Sequence, residues 1–252
     1  RNMFNLVQVK TFRESTVRPE ILLEIRDLQV GYSNRLVPLI EEEWKKHCLE
    51  DVSRMMVFVQ SHSGVEELGK ALVEKNLPAA YYHASVDSEV GEEEIRKWRG
   101  TKRCIMVATC AFGAGINYAH VRSVICLGIP NKANINQFFQ QAGRAGRDGR
   151  QAWVLFVSQK QSMWQPDQVT EDLLNRGMCP IRVISSVLDE SGSSCLSHPM
   201  KKMCGPCTAI SGPKPAIPYG GGQAAVVEGR GLSGTMGRGL EETLSSQRTG
   251  LE

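Results

Sequence analysis

The strongest constraint on the fold is a regular alternation of short apolar runs and amphipathic stretches between residues 55 and 158. Five runs are predicted to be buried strands because they are rich in β-branched and other apolar residues: 55–59, 79–82, 104–108, 121–127 and 153–157. Helices are predicted between them, including one over 64–76 and one that starts at Asp87 or Ser88. Strands that alternate with helices predict an α/β fold with a parallel sheet of about five strands.

The flanks of this region differ in character. Upstream, residues 36–49 are predicted to form a helix with Leu36, Ile40 and Trp44 along one side. Downstream, residues 211–252 contain 10 of the 24 glycines and show no lasting periodicity, so a disordered tail is predicted.

Composition excludes several classes of protein. No run of 18 apolar residues occurs, and the first residues lack the layout of a secretory signal, so we expect an intracellular protein without a membrane partner. The 30 Lys and Arg residues exceed the 27 Asp and Glu residues by only three. This surplus is too small to indicate nucleic-acid binding, which depends on a local basic surface.

The most specific motif is QQAGRAGRDG at residues 140–149. A helix predicted over 134–141 runs into a turn rich in glycine, with Arg144 and Arg147 three residues apart. This spacing on a helical turn predicts that both guanidinium groups face the same anion. Arginine suits bidentate contact with phosphate oxygens and stabilises the charge that develops in phosphoryl transfer. A plain arginine-rich surface turn is the less favoured alternative.

A second motif, VATCAFGAGIN at residues 107–117, follows a predicted strand directly. Ligands in open α/β sheets bind beyond the carboxyl ends of the strands, and a loop with two close glycines presents backbone N–H groups to phosphates there. A dinucleotide-binding fold is rejected because a third glycine at the required spacing is missing and the loop follows the third strand.

Residues 108–117 and 140–149 resemble motifs V and VI of superfamily 2 helicases, and their wording resembles the RecQ family rather than the DEAD-box RNA helicases. Four more segments agree with that family in order and spacing: 15–19, 57–62, 82–84 and 129–130. The similarity spans residues 11–160 and extends more loosely to 207. It points to the fungal, telomere-linked or transposon-associated RecQ-like branch.

The resemblance implies the second RecA-like lobe of an ATP-dependent 3′-to-5′ DNA helicase, with ATP and Mg²⁺ as cofactors, DNA as partner and a nuclear location. It implies that Arg147 is the arginine finger on the γ-phosphate, Arg144 its partner and Gln140 a residue facing the cleft. Three residues would line the nucleotide and interlobe side: Gly113, Gly115 and Asn117. Three others would lie near the DNA backbone: Ser61, Thr109 and Ala111.

The sequence departs from the family pattern in three places. His62 stands where motif IV usually carries arginine, and Leu127 and Gly128 replace the usual Phe-Asp pair. The phosphate loop Gly-x-x-x-x-Gly-Lys-Ser/Thr and an Asp-Glu-x-His segment, which belong to the first lobe, are both missing. We therefore expect no ATP hydrolysis by this chain alone, and a first RecA-like lobe, in cis in a longer protein, as its partner.

Two origins would explain why the first-lobe motifs are missing. The chain could be a segment of a longer helicase, in line with its start at Arg1, or a remnant that kept only one of the two motor lobes. A non-catalytic DNA-binding or interaction module derived from a helicase is the alternative function. An RNA helicase lobe is disfavoured by the wording of the two motifs.

Four cysteines follow the lobe with the spacing C-x15-C-x8-C-x2-C: Cys179, Cys195, Cys204 and Cys207. The closing Cys-x-x-Cys forms a tight knuckle in which two thiolates bind one tetrahedral metal, and zinc is favoured over disulfides in a reducing interior. RecQ-like helicases carry a zinc subdomain at this place, although the eight-residue gap is longer than usual. His198 is an alternative ligand, and four reduced bystander thiols are the other alternative.

Together these observations predict four regions. They are a leading segment with the first helix (1–50), a RecA-like lobe with a parallel sheet and flanking helices (51–160), a Cys-rich zinc-type segment (161–210) and a disordered tail (211–252).

Overall fold

The structure is a computed structural model that describes residues 15–28, 32–113, 117–159, 165–200 and 202–211. These residues belong to one unit, Arg1–Lys214, and the second unit, Pro215–Glu252, lies outside them. The predictions for Gly115 and for the tail beyond residue 211 therefore fall outside the described residues.

The described residues form one parallel sheet of six strands in the order β1-β6-β5-β2-β4-β3. The strands are β1 (Ile21–Leu28), β2 (Arg54–Phe58), β3 (Ala79–Tyr82), β4 (Ile105–Ala108), β5 (Val121–Leu127) and β6 (Ala152–Gln159). The prediction of an α/β fold with a parallel sheet is confirmed, and strands β2 to β6 match the five predicted runs.

Strand β1 is the element that the sequence analysis missed. It occupies one edge of the sheet, where it pairs with β6 in parallel from Ile21 to Leu28. Only its first three residues are buried, and its second half carries Glu24, Arg26 and Asp27. An edge strand that is half exposed tolerates such charges, so its sequence lacks the apolar run that marks a buried strand.

Seven α-helices flank the sheet in the described part of the chain: α1 (Tyr32–His47), α2 (His62–Glu74), α3 (Ser88–Gly100), α4 (Ile135–Ala142), α5 (Gln168–Leu174), α6 (Pro180–Leu188) and α7 (Gly205–Ser211). Helix α3 begins where predicted, because the Asp87 carboxylate accepts a hydrogen bond from the Glu89 amide at 2.9 Å. No helix in these residues combines the length and apolarity that crossing a bilayer requires.

Successive residues of a strand point to opposite faces of the sheet, and the core is divided accordingly. In β2, Met55 and Val57 pack in the cluster that holds Ile40 of α1 and Leu72 of α2. The alternate residues, such as Met56, belong to a second cluster, whose helical members include Trp98 of α3, Phe138 of α4 and Ile184 of α6. Because both faces are covered, the central strands are apolar throughout, which explains why they were predictable.

Candidate functional site

The two motif arginines lie on a series of turns that follows helix α4. Helix α4 ends at Ala142, and residues 143–149, here called the arginine turn, connect it towards β6. Gly146 and Gly149 have φ values of +61° and +72°, a region that favours glycine. The amide of Gly146 donates to the carbonyl of Val121 at 3.0 Å, which anchors the turn at the start of β5.

Arg147 is exposed and held by the second motif. Its Nη1 donates to Oδ1 of Asn117 at 2.8 Å, and its Nε donates to the carbonyl of Gly143 at 3.4 Å. Asn117 is also exposed. The structure thus brings together two of the predicted site residues, one from each motif.

Arg144 is half-buried in the same turn. Burial lowers the pKa of Arg144, and the positive charge of Arg147 lowers it further. The two guanidinium groups are therefore close enough to repel each other, and an anion bound between them would relieve that repulsion. Gln140 is exposed on the last turn of α4.

A carboxylate anchors the far end of the arginine turn. Asp148 accepts hydrogen bonds from Nη2 of Arg122 and, at 3.2 Å, from Nδ1 of His120. Burial alone would raise the pKa of Asp148, but the hydrogen bonds from Arg122, the Arg150 amide and His120 lower it to about 2. This cluster was not predicted from the sequence, because Arg122 and His120 lie 26 and 28 residues before Asp148 in the chain.

The predicted residues are divided between the two ends of the parallel strands. The side of the sheet where the strands begin is here called the amino edge, and the side where they end is called the carboxyl edge. Asn117 and the arginine turn lie at the amino edge, since Asn117 precedes β5 and the turn precedes β6. The sequence predicts phosphate contacts beyond the carboxyl ends of the strands, whereas Asn117 lies at the opposite edge. The physical reason is that β4 and β5 run in the same direction, so the start of β5 lies at the edge opposite the end of β4.

The residues predicted near DNA lie at the carboxyl edge, after the neighbouring strands β2 and β4. Ser61 is exposed and caps α2, where its hydroxyl accepts a hydrogen bond from the Gly64 amide at 3.1 Å. Thr109 is buried, and its hydroxyl has no partner among the described residues. Ala111 and Gly113 lie in the short 3₁₀ helix Cys110–Gly113 that follows β4.

The four cysteines converge although up to 28 residues separate them in the chain. Their sulfur atoms all lie within 4.8 Å of one another, and all four residues are buried: Cys179, Cys195, Cys204 and Cys207. The Sγ atoms of Cys179 and Cys195 are 3.6 Å apart, and sulfurs on a tetrahedral zinc with bonds of about 2.3 Å would lie about 3.8 Å apart. The donor set therefore fits one zinc ion without His198, which lies outside this group.

Secondary structure positions each thiol. Cys179 immediately precedes α6, whose first residue is Pro180, a residue that the first turn of a helix tolerates. Cys195 begins the 3₁₀ helix Cys195–Ser197, and Cys207 lies in the first turn of α7. Hydrogen bonds within the cluster lower the pKa of Cys179 and raise the pKa values of Cys195 and Cys204, because the neighbouring thiols stabilise one thiolate among them.

Comparison with known proteins places the sheet region among helicase sequences. The family described as the helicase conserved C-terminal domain matches residues 37–149. A protein of Acanthamoeba polyphaga mimivirus named as a candidate ATP-dependent RNA helicase is 30% identical over 156 residues, which are 61% of this chain and 27% of that protein. The ATP-dependent DNA helicase RecQ of Pasteurella multocida is 34% identical over 110 residues, 43% of this chain and 17% of RecQ.

A solved structure of domain 2 of the DEAD-box helicase Mss116p, bound to an RNA duplex, is similar with a TM-score of 0.46 and 16% identity, over 68% of each chain. The match to the two curated relatives spans less than a third of their length. Residues 37–149 thus match the helicase conserved C-terminal domain, and RecQ-family helicases are among the proteins to which the chain is similar.

Proposed function

We propose that this chain is the C-terminal motor lobe of a RecQ-like, ATP-dependent 3′-to-5′ DNA helicase. The observation that carries the proposal is the exposed Arg147 guanidinium, held at 2.8 Å by Asn117 at the amino edge of the sheet. A guanidinium in this position serves as an arginine finger, which stabilises the charge of phosphoryl transfer. Arg144 adds a second cation beside it.

ATP with Mg²⁺ would supply the phosphoryl group and the metal charge, and the donors on this lobe fit its phosphates because they are cationic or neutral. Arg147 would bind the γ-phosphate, and Gln140 is exposed near the same turn. Gly113 and Gly115 remain predicted residues of the nucleotide and interlobe side. The phosphate loop must come from a first lobe, so we expect hydrolysis only when such a lobe, in cis in a longer protein, docks on this edge.

The separation of the predicted residues between two edges supports a division of labour within the lobe. Arg147 contacts the nucleotide at the amino edge. The exposed Ser61, and Ala111 of the 3₁₀ helix after β4, contact the backbone of single-stranded DNA at the carboxyl edge. Thr109, which is buried, stays a predicted residue of the carboxyl edge. A motor that translocates should contact the backbone without reading bases. DNA is preferred to RNA because the motif wording and the RecQ relatives favour it. A nuclear location belongs to the same proposal and is tested by imaging the tagged chain.

Reconstitution in trans tests the proposal. The full chain is mixed with the first lobe of a RecQ-family helicase, and ATP hydrolysis is measured with and without single-stranded DNA. We expect DNA-stimulated hydrolysis that falls by about 10³-fold or more in Arg147→Ala. Arg150→Ala is the matched control, because Arg150 forms its bidentate pair with Glu50 on the protein surface.

The possible outcomes separate the candidate functions. Equal rates for wild type and Arg147→Ala would remove the arginine from its role. DNA binding with no hydrolysis in the presence of the first lobe would favour the non-catalytic module. Stronger stimulation by single-stranded RNA than by DNA would overturn the choice of nucleic acid.

We also propose that the four clustered cysteines bind one structural zinc ion. The observation in support is the convergence of four buried sulfurs within 4.8 Å. Such an ion stabilises a small segment by about 10 kcal/mol or more in short peptides. Metal analysis of the purified chain should give about one zinc per chain, and a metal-free, folded chain would contradict the assignment.

A further inference from the structure

A third arginine, Arg18, is distant in sequence from the arginine turn but forms hydrogen bonds to its backbone. It lies just before β1, at the amino edge of the sheet. Its Nη1 donates to the carbonyl of Gly143 at 3.0 Å, and its Nη2 donates to the carbonyl of Gly146 at 3.0 Å. Its Nε donates to Oε1 of Glu20 at 2.7 Å. All three guanidinium nitrogens are thus engaged at once.

The two carbonyls lie at the ends of the segment that contains Arg144 and directly precedes Arg147. Gly143 follows the last residue of α4, and Gly146 is the left-handed residue directly before Arg147. Arg144 lies between them. A planar guanidinium presents its donors in a fixed fork, so its bonds to both carbonyls hold the two ends of this segment at a set separation.

The same contacts reach the Arg147 side chain. The carbonyl of Gly143 accepts from Arg18 and also from Nε of Arg147 at 3.4 Å. The orientation of one carbonyl therefore links the two guanidinium groups. Glu20, whose side chain is only 14% exposed, balances the charge of Arg18 and limits its rotation.

The segment that carries Arg18 is itself braced by the Cys-rich region. The amide and the hydroxyl of Thr16 both donate to Oδ2 of Asp189, at 2.9 and 2.7 Å. Asp189 caps the end of α6, the helix that begins after Cys179. A continuous set of contacts thus connects the cysteine cluster, α6, Thr16, Arg18 and the arginine turn.

We propose that Arg18 is a positioning residue for the arginine turn, and that the Thr16–Asp189 contact transmits the support of the Cys-rich region to it. Arg18 sets the pose of Arg147 but does not itself touch the nucleotide. The catalytic consequence rests on the proposed function, whereas the holding of the turn does not. A lysine at this position retains the charge but cannot bond Glu20 and both carbonyls with a rigid fork.

The holding of the turn is tested on the full chain without any nucleotide. Amide hydrogen exchange is measured for wild type, Arg18→Ala and Arg18→Lys, with Arg150→Ala as the control. Five turn amides form backbone hydrogen bonds in the native state: Gly143, Arg144, Ala145, Gly146 and Gly149. We expect their exchange to accelerate about tenfold in Arg18→Ala, as loss of about 1.4 kcal/mol of local stability would produce, and less in Arg18→Lys.

Exchange in β2 and β4 serves as the internal reference, because a global loss of stability would accelerate it equally. Unchanged turn exchange in Arg18→Ala would overturn the proposal. If Arg18→Ala does not fold, Arg18→Lys and Asp189→Asn carry the same test. Asp189→Asn weakens only the Thr16–Asp189 contact, so it should accelerate turn exchange by a smaller factor. Unchanged turn exchange in Asp189→Asn would remove this contact from the proposal.

The catalytic consequence is tested with the first lobe added in trans. We expect Arg18→Ala to lower kcat by about 10- to 100-fold, since displacement of a catalytic group by about 1 Å has effects of this size, with KM for ATP changed less than about twofold. Faster turn exchange with unchanged kcat would refute the catalytic consequence alone. Wild-type rates in Arg147→Ala would refute the proposed function and leave the exchange result intact.

Discussion

Arg147 and Asn117, 30 residues apart in the chain, are joined by a hydrogen bond of 2.8 Å from the guanidinium Nη1 to the amide Oδ1. The acceptor is neutral, so the contact orients the guanidinium without cancelling its charge. The carboxylate next to it in sequence, Asp148, is engaged by Arg122 and His120. The local structure therefore supports a cation at the amino edge that is directed by an amide.

Substitution can separate two properties of the Asn117 amide, namely that it accepts a hydrogen bond and that it is neutral. In the reconstituted system, Asn117→Ala should lower kcat about tenfold, because Arg147 loses the acceptor that orients its guanidinium. Asn117→Asp should lower it further, because a carboxylate competes with phosphate for Arg147. Both residues are exposed, so the free energy of unfolding should change by less than about 0.5 kcal/mol. Wild-type kcat in Asn117→Asp would contradict this interpretation.

Asp148 should make stability depend on pH at the acidic end. Its pKa falls from 3.8 to about 2 on folding, so its ionised form stabilises the native state above about pH 4, and this contribution is lost as the pH falls towards 2. A shift of this size corresponds to about 2 kcal/mol. Asp148→Asn should lower the urea midpoint at neutral pH and flatten its decline between about pH 4 and 2.

The control for this change is Asp51→Asn, because Asp51 pairs with Lys102 at 2.6 Å with both side chains mostly exposed. Exposed pairs contribute about 0 to 1 kcal/mol, so the midpoint should barely move. An equal loss in the two variants would show that the buried cluster does not stabilise the turn.

The two left-handed glycines of the turn should respond differently to a methyl group. A Cβ at Gly146 would lie 2.9 Å from the carbonyl oxygen of Arg150, whereas a Cβ at Gly149 would meet nothing within 4 Å. Gly149→Ala should therefore cost only the backbone strain of about 1 kcal/mol, and Gly146→Ala about 2 kcal/mol or more. Urea unfolding of the two variants measures the difference, and identical costs would refute the close packing at Gly146.

The cysteine cluster predicts which thiols matter for metal binding. Cys207→Ser should reduce zinc content well below one per chain and make the Cys-rich region sensitive to proteolysis, because three thiolates and a hydroxyl bind zinc more weakly. Cys110→Ser is the control, since Cys110 is exposed and outside the cluster. Equal zinc content in both variants would show that the metal binds elsewhere.

The elements of the fold were predictable to the extent that they are buried on both faces. Strands β2 to β6 carry apolar runs, and α3 begins at a capping Asp87, so local sequence identifies them. Strand β1 was missed because Glu24 and Arg26 interrupt its apolar pattern at the edge of the sheet. Its partner β6 is 131 residues away from it in the pairing of Ile21 with Ala152, and no local signal reports such a pairing.

The residue types of the site were also predictable in part, but for a different reason. Glycines at 146 and 149 and the arginines beside them indicate a turn and an anion, because conformational freedom and charge belong to single residues. The closing Cys-x-x-Cys and the two cysteines before it predict a metal site.

What only the tertiary structure decided is which of these groups meet. Arg18 reaches the carbonyl of Gly143 across 125 residues, and Asn117 reaches Arg147 across 30. Hydrogen bonds require placement to within a few tenths of an ångström, and strand order and register supply that precision. The sequence by itself determined strands β2 to β6, the turn and the residue types. The packing of β1 beside β6 decided that Arg18 holds the turn that carries Arg144 and Arg147.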